Sequence, residues 1–350
     1  MSARMLSVVC GTGVAAGAAL GQAGGGTLEW ATIGAAGNKP LDRLDAGWLA
    51  DTLGRGGVGY EYRMGRTEIT TGQWVEFLNS VNGLREDGSQ FFTPYGWGAE
   101  IDPGYSGPGR RYRLRTDRGD DAALIPVAGI EWRSAARYCN WLHNGKQSDP
   151  ASLASGAYDT STFGEEINGW SFTDQHTRSE GAKYWIPSLD EWLKAAYYDP
   201  QRVNEDGSLG GWWTQPNGSD DPLTYGLPGE AGAESSAGLG LDPFDEFLPV
   251  GQYEAMGPWG LYDVSGGVGE WTEEVHSLLA TNAERIYLGS SSSSGIQGAW
   301  VNDHIWSYGA SVPSGNTWVG FRIASAVPSP NGFGLICLGL LVPTQRRRYT

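Results

Sequence analysis

Residues 257–271 read GPWGLYDVSGGVGEW, a run that sets five glycines around two carboxylates, Asp263 and Glu270, and brackets them with Trp259 and Trp271. Glycine lets the backbone turn its carbonyls in directions that other residues resist. A hard cation such as calcium needs that freedom, because it takes about six to eight oxygens, mixing carboxylates with main-chain carbonyls. From spacing alone two assignments stand level. Either Asp263 and Glu270 line a cation-binding loop, or Asp263 caps a turn while Glu270 faces solvent.

The surrounding chain has 350 residues, with 16 Trp, 16 Tyr and 54 Gly. So many aromatics argue against disorder, and so many glycines argue for an irregular, turn-rich backbone. The formal net charge of −16 excludes a nucleic-acid partner and disfavours anionic membrane surfaces.

Both ends read as processing signals. Residues 1–23 carry Arg4, an uncharged apolar run from Met5 to Leu20 and a small-residue cleavage point after Ala23, the pattern of a signal peptide. Residues 327–350 pass from Val-Pro-Ser-Pro into a short apolar run, Gly332 to Val342, and end on Arg346 to Arg348. That run is too short for a stable membrane span. The tail resembles the PEP-CTERM sorting signal of exopolysaccharide-producing bacteria, with Ser329 where that signal usually carries Glu. The expected partners are therefore signal peptidase and a C-terminal sorting enzyme, and the expected location is the cell envelope or beyond it. Cys10 and Cys337 lie in these two segments. Cys139 alone remains, so no internal disulfide is possible.

Three segments have helical period. Thr70 and Gln73 form a capping box ahead of Trp74, Phe77, Leu78 and Val81. Ala135, Tyr138, Cys139 and Leu142 share a face that Gly145 closes. Ser188 and Glu191 form a second box before Trp192, Ala195 and Ala196, with Pro200 beyond the end. The Gly229–Gly240 stretch, the Ser290–Ser294 run and the polar residues Asp174 to Arg178 read as loops.

Five blocks in this order resemble the formylglycine-generating enzyme, or sulfatase-modifying factor, family. They are MGRTEITTGQWVEFLNSV, IPVAGIEWRSAARYCNWL, YWIPSLDEWLKAAYY, PVGQYEAMGPWGLYDVSGGVGEWTEE and VGFRIAS. The resemblance implies one α+β domain over residues 60–326, C-type-lectin-related and poor in regular secondary structure, with residues 24–59 as a lead-in. It also implies calcium as a structural ion. Asp263 and Glu270 would give side chains and Gly266 and Val268 carbonyls. At a second site Asp242 would give a side chain and Phe244 a carbonyl, with further ligands near Ala233 and Glu234.

The family's oxidases use two cysteines that bind copper, for which soft thiolates are suited. They lie before the closing Gly-Phe-Arg, and residues 285–322 here contain no cysteine. Cys139 sits on the apolar face of its helix, a structural position. Copper is therefore not expected, and neither is formylglycine generation. The family tryptophan between Val268 and Glu270 is replaced by Gly269, and the family asparagine before Val268 by Gly267, which alters the substrate groove. The four histidines, His143, His176, His276 and His304, have no metal-ligand spacing.

The expectation is an exported, calcium-stabilised, noncatalytic binding or matrix protein of the bacterial envelope. Trp300, Trp306 and Trp318 either stack on an extracellular polysaccharide or peptide or pack into the core. The alternative is a cysteine-free oxidoreductase of the same superfamily, like the periplasmic protein that helps mature the pyoverdine chromophore.

Overall fold

The computed structural model describes residues 26–42, 52–164, 173–241, 248–275, 285–292 and 318–328. After strands β1 (Trp30–Ile33) and β2 (Tyr62–Gly65) comes helix α1 (Thr71–Ser80). Its capping box is complete, with Thr70 Oγ1 accepting from Gln73 N at 3.3 Å and Gln73 Oε1 accepting from Thr70 N at 3.0 Å. Strands β3 (Ala99–Ile101) and β4 (Tyr112–Leu114) then precede α2 (Trp132–His143). The Glu131 carboxylate at the start of α2 makes no cap bond to the backbone. It accepts instead from Ser134 Oγ at 2.7 Å and pairs with Arg85.

Strand β5 (Tyr184–Trp185) leads into α3 (Leu189–Tyr197), whose box is also complete. Pro200 lies beyond the end of the helix, as expected. The chain turns directly from α3 into β6 (Tyr198–Val203), which contains Pro200 and pairs with β7 (Leu209–Trp212). Strands β8 (Gly269–Val275), β9 (Arg285–Leu288), β10 (Val319–Gly320) and β11 (Ala324–Ala326) complete the described elements.

The strands form small sheets. One has the order β1-β2-β11-β5 and is antiparallel throughout, so the lead-in supplies an edge strand and the two ends of the domain meet on β2. The other has the order β10-β8-β9, with β10 parallel to β8 and β9 antiparallel to it. The arrangement is mixed α+β with little regular structure.

Aromatic packing joins these pieces. Trp74 of α1 stacks on Tyr138 of α2 with centroids 5.7 Å apart, and Phe321 meets Tyr138 edge-on at 5.5 Å. Such pairs add about 0.5–1.5 kcal/mol each beyond the area they bury. Cys139 has no exposed surface in this core, and burial pushes its thiol pKa well up. It is a packing residue, as its helix face suggests. At Gly320 an added Cβ would lie 2.1 Å from the Val127 carbonyl oxygen, so the chain before Phe321 can pass this close only as glycine. Among the described residues no helix is long and apolar enough to cross a membrane.

Candidate functional site

The loop that precedes β8 is fixed from three sides. Tyr262 N donates to Arg66 O at 2.8 Å, and Gly266 N donates to Ser290 O at 2.8 Å. Ser235 Oγ donates to Ser265 O at 2.7 Å, while the Ser236 and Ser292 hydroxyls lie 2.8 Å apart. The described part of the serine run, Ser290 to Ser292, is therefore a buried strap and not a surface loop. The Ser290 hydroxyl pairs with that of Ser265, and the Ser292 hydroxyl with that of Ser236, so the buried polar run is hydrogen-bonded.

Glu270 has no exposed surface. Its Oε1 accepts from Arg322 Nη2 at 2.5 Å, and its Oε2 accepts from Arg322 Nε at 2.5 Å and Trp192 Nε1 at 2.7 Å. The remaining guanidinium donors reach Gly65 O, Arg66 O and Tyr262 O at 3.1, 3.3 and 3.1 Å. All donor nitrogens of Arg322 are thus used. Burial alone would lower the Arg322 pKa, but the charge and bonds of Glu270 outweigh it and raise it. Glu270 does not face solvent, which removes that part of the turn reading.

Asp263 takes a left-handed backbone, φ +53°, and its Oδ2 accepts from Gly251 N at 2.5 Å. Desolvation pushes its carboxyl up to about 6. A third carboxylate faces this turn. Glu68, 1% exposed, points at Gly267, where an added Cβ would lie 2.5 Å from its Oε1. Neither Glu68 oxygen has a hydrogen-bond partner among the described residues. Burial, then the Asp263 charge, pushes its pKa well above the usual carboxylate range. With Glu270 matched by Arg322, Glu68 needs either a proton, which its raised pKa favours, or a cation. Among the described residues no three acidic, His or Cys side chains converge as a metal cluster, so such an ion would lean on carbonyl and water oxygens. Asp242 and Phe244 lie outside the described residues, as do His276, His304, Trp300 and Trp306.

At Gly269 an added Cβ would meet Tyr287 Cδ2 at 2.9 Å, so the Tyr287 ring stands where a larger side chain at 269 would go. Trp318 packs edge-on against Trp97 at 4.9 Å, beside Val268, Ile125 and Ala128. That is the packing alternative for Trp318.

An open cavity of about 720 Å³ lies elsewhere, where the two ends of the domain meet, walled by Tyr60, Arg178, Trp185, Glu273, Ala326 and Val327. Arg178 Nη2 pairs with Glu191 at 2.9 Å and Nη1 with Glu273 at 3.1 Å, and the guanidinium lies 4.1 Å from the Trp185 ring centroid. Tyr60 OH donates to Glu191 Oε1 at 2.8 Å. Tyr158 OH donates to Glu273 Oε1 at 2.8 Å. Desolvation pushes Glu273 up to about 7 despite Arg178. The stretch that reads as an ordinary polar loop is thus anchored at both ends, Asp174 on Arg133 at 2.7 Å and Arg178 here. Its local sequence holds no sign of this, because the partners lie 13 to 95 residues away.

Solved structures align with most of this chain. Treponema denticola variable protein 1 aligns at 18% identity with a TM-score of 0.49, covering 85% of this chain and 95% of its own. CarF aligns at 18% identity with a TM-score of 0.50, covering 86% and 99%. PvdO from Pseudomonas aeruginosa aligns at 14% identity with a TM-score of 0.44, covering 86% and 92%. No curated protein sequence matches the chain significantly. The model of the sulfatase-modifying factor enzyme 1-like domain matches residues 58–327, and the chain belongs to that family.

Proposed function

We propose that this protein is an exported, noncatalytic member of its family, a calcium-stabilised binding or matrix protein of the bacterial envelope. The observation that carries the reading is the loss of the oxidase's thiols. Residues 285–322 hold no cysteine, and Cys139 is sealed in the core with its thiol pKa raised. A buried protonated thiol is a poor ligand and nucleophile. The ring of Tyr287 over Gly269 supports the same reading, since the family resemblance implies a groove tryptophan at that position. Calcium belongs to the Asp263 loop in this reading, and copper has no place in it.

The binding surface is assigned to the cavity at Arg178. Tyr60 is 45% exposed and offers a ring face, while the partly exposed Arg178 offers a guanidinium beside it. That combination suits a polysaccharide or a peptide. The test has two arms. Copper(I) with a cysteine-containing peptide should give no oxygen consumption above a protein-free control, and turnover would overturn the reading. Envelope polysaccharide or peptide libraries should show saturable binding that Tyr60→Ala weakens. The cysteine-free oxidoreductase reading draws on the same cavity, because a carboxyl near neutrality in an open pocket is a candidate acid or base.

A further inference from the structure

We propose that Glu68, and not Glu270, is the carboxylate that joins Asp263 in holding a calcium ion at the Gly266–Gly267 turn; this rests on the calcium reading above. The family's loop would take Glu270 as a side-chain ligand. Here Glu270 already serves Arg322 twice and Trp192 once. Its negative charge is matched by a guanidinium in direct contact, which would repel a second cation at the same oxygens.

Glu68 is the opposite case. It is 1% exposed, aimed at Gly267, and both of its oxygens lack donors among the described residues. A bare buried carboxylate is among the least tolerable groups in a protein interior, and it demands either a proton or a cation. The positive charge that reaches it is Arg322, which is committed to Glu270, while the strongest negative charge acting on it is Asp263. A divalent ion between Glu68 and Asp263 answers both needs at once. Two carboxylates with backbone carbonyls and water make up an ordinary calcium shell. Gly267, at φ +59°, leaves the room, since a side chain there would strike Glu68.

The experiment uses the full chain, stripped with chelator and titrated with calcium chloride by calorimetry and by thermal unfolding. The wild type should bind about one ion at this turn and gain several degrees of Tm, about 5 °C at saturation. Glu68→Gln should lose the calcium-dependent rise while its metal-free Tm stays level or increases, because an unpaired charge has been removed. Asp263→Asn, which keeps a residue tolerant of left-handed backbone, should lose the rise as well. If Glu68→Gln keeps the full calcium response, Glu68 is no ligand and the proposal fails while the calcium reading stands. If the wild type shows no heat and no shift with calcium, the calcium reading falls and the proposal with it.

Discussion

Arg322 and Glu270 are bound at two points, Nη2 to Oε1 and Nε to Oε2, each at 2.5 Å, with neither side chain more than 1% exposed. The pair links the closing strand region to the start of β8, and through Tyr262 O it also holds the glycine loop. Its worth lies in specificity of placement, because the desolvation of two charges offsets much of their attraction.

Breaking that pair from one side should therefore be severe. Arg322→Met leaves Glu270 charged and buried, and should cost about 3–5 kcal/mol. Arg322→Met with Glu270→Gln keeps an acceptor for Trp192 Nε1 and removes the stranded charge, so it should be milder than Arg322→Met alone. Urea unfolding of both single variants and the double variant checks the order. A double variant as unstable as the sum of both singles would show that the pair does not act as a unit.

Glu273 should make stability depend on pH near neutrality. Its pKa is raised from 4.5 to about 7, so the folded state holds the proton more tightly than the unfolded chain. The corresponding stabilisation is present below about pH 4.5 and is lost as pH rises through 7. The difference amounts at most to about 3 kcal/mol. Glu273→Gln, which can still accept from Tyr158, should flatten the change in unfolding free energy between pH 5 and pH 8. An unchanged profile would remove Glu273 as its source.

The two members of the second capping box should separate in cost. Ser188→Ala loses one bond to Glu191 N, about 1 kcal/mol by itself, and Thr70→Ala should behave alike. Glu191→Ala is different, since this buried carboxylate also serves Trp185, Tyr60 and Arg178. It should cost about 3 kcal/mol or more, because Arg178 loses a buried partner. Denaturation midpoints of the three variants give the comparison.

These contrasts mark what the sequence makes legible. Thr70 with Gln73 and Ser188 with Glu191 are visible because a capping box is a three-residue relationship. The five family blocks carry the fold for a similar reason, each being locally patterned. Glu270 is readable as important in its glycine setting, but its partner lies 52 residues away and its oxygens are spent there. Glu68 looks like one more acid ahead of a helix, and only the fold reveals that it has no donor among the described residues. Ser290 to Ser292 look like a solvated loop because composition cannot show that their hydroxyls answer Ser236 and Ser265.

The replacement of the family tryptophan by Gly269 has a direct test in its contact with Tyr287. A Cβ at 269 would sit 2.9 Å from Cδ2 and 3.2 Å from Cε2 of that ring. The ring is held edge-on to Trp271 at 5.8 Å, so it cannot withdraw freely. Gly269→Trp should therefore destabilise by about 1–3 kcal/mol through overpacking. Tyr287→Ala vacates the same space and should cost a comparable amount by leaving a cavity. Combined, the two should cost clearly less than their sum, since each removes the reason the other is harmful. Urea unfolding of the four proteins measures the coupling directly. Additive costs would mean that Tyr287 does not stand where the tryptophan would go.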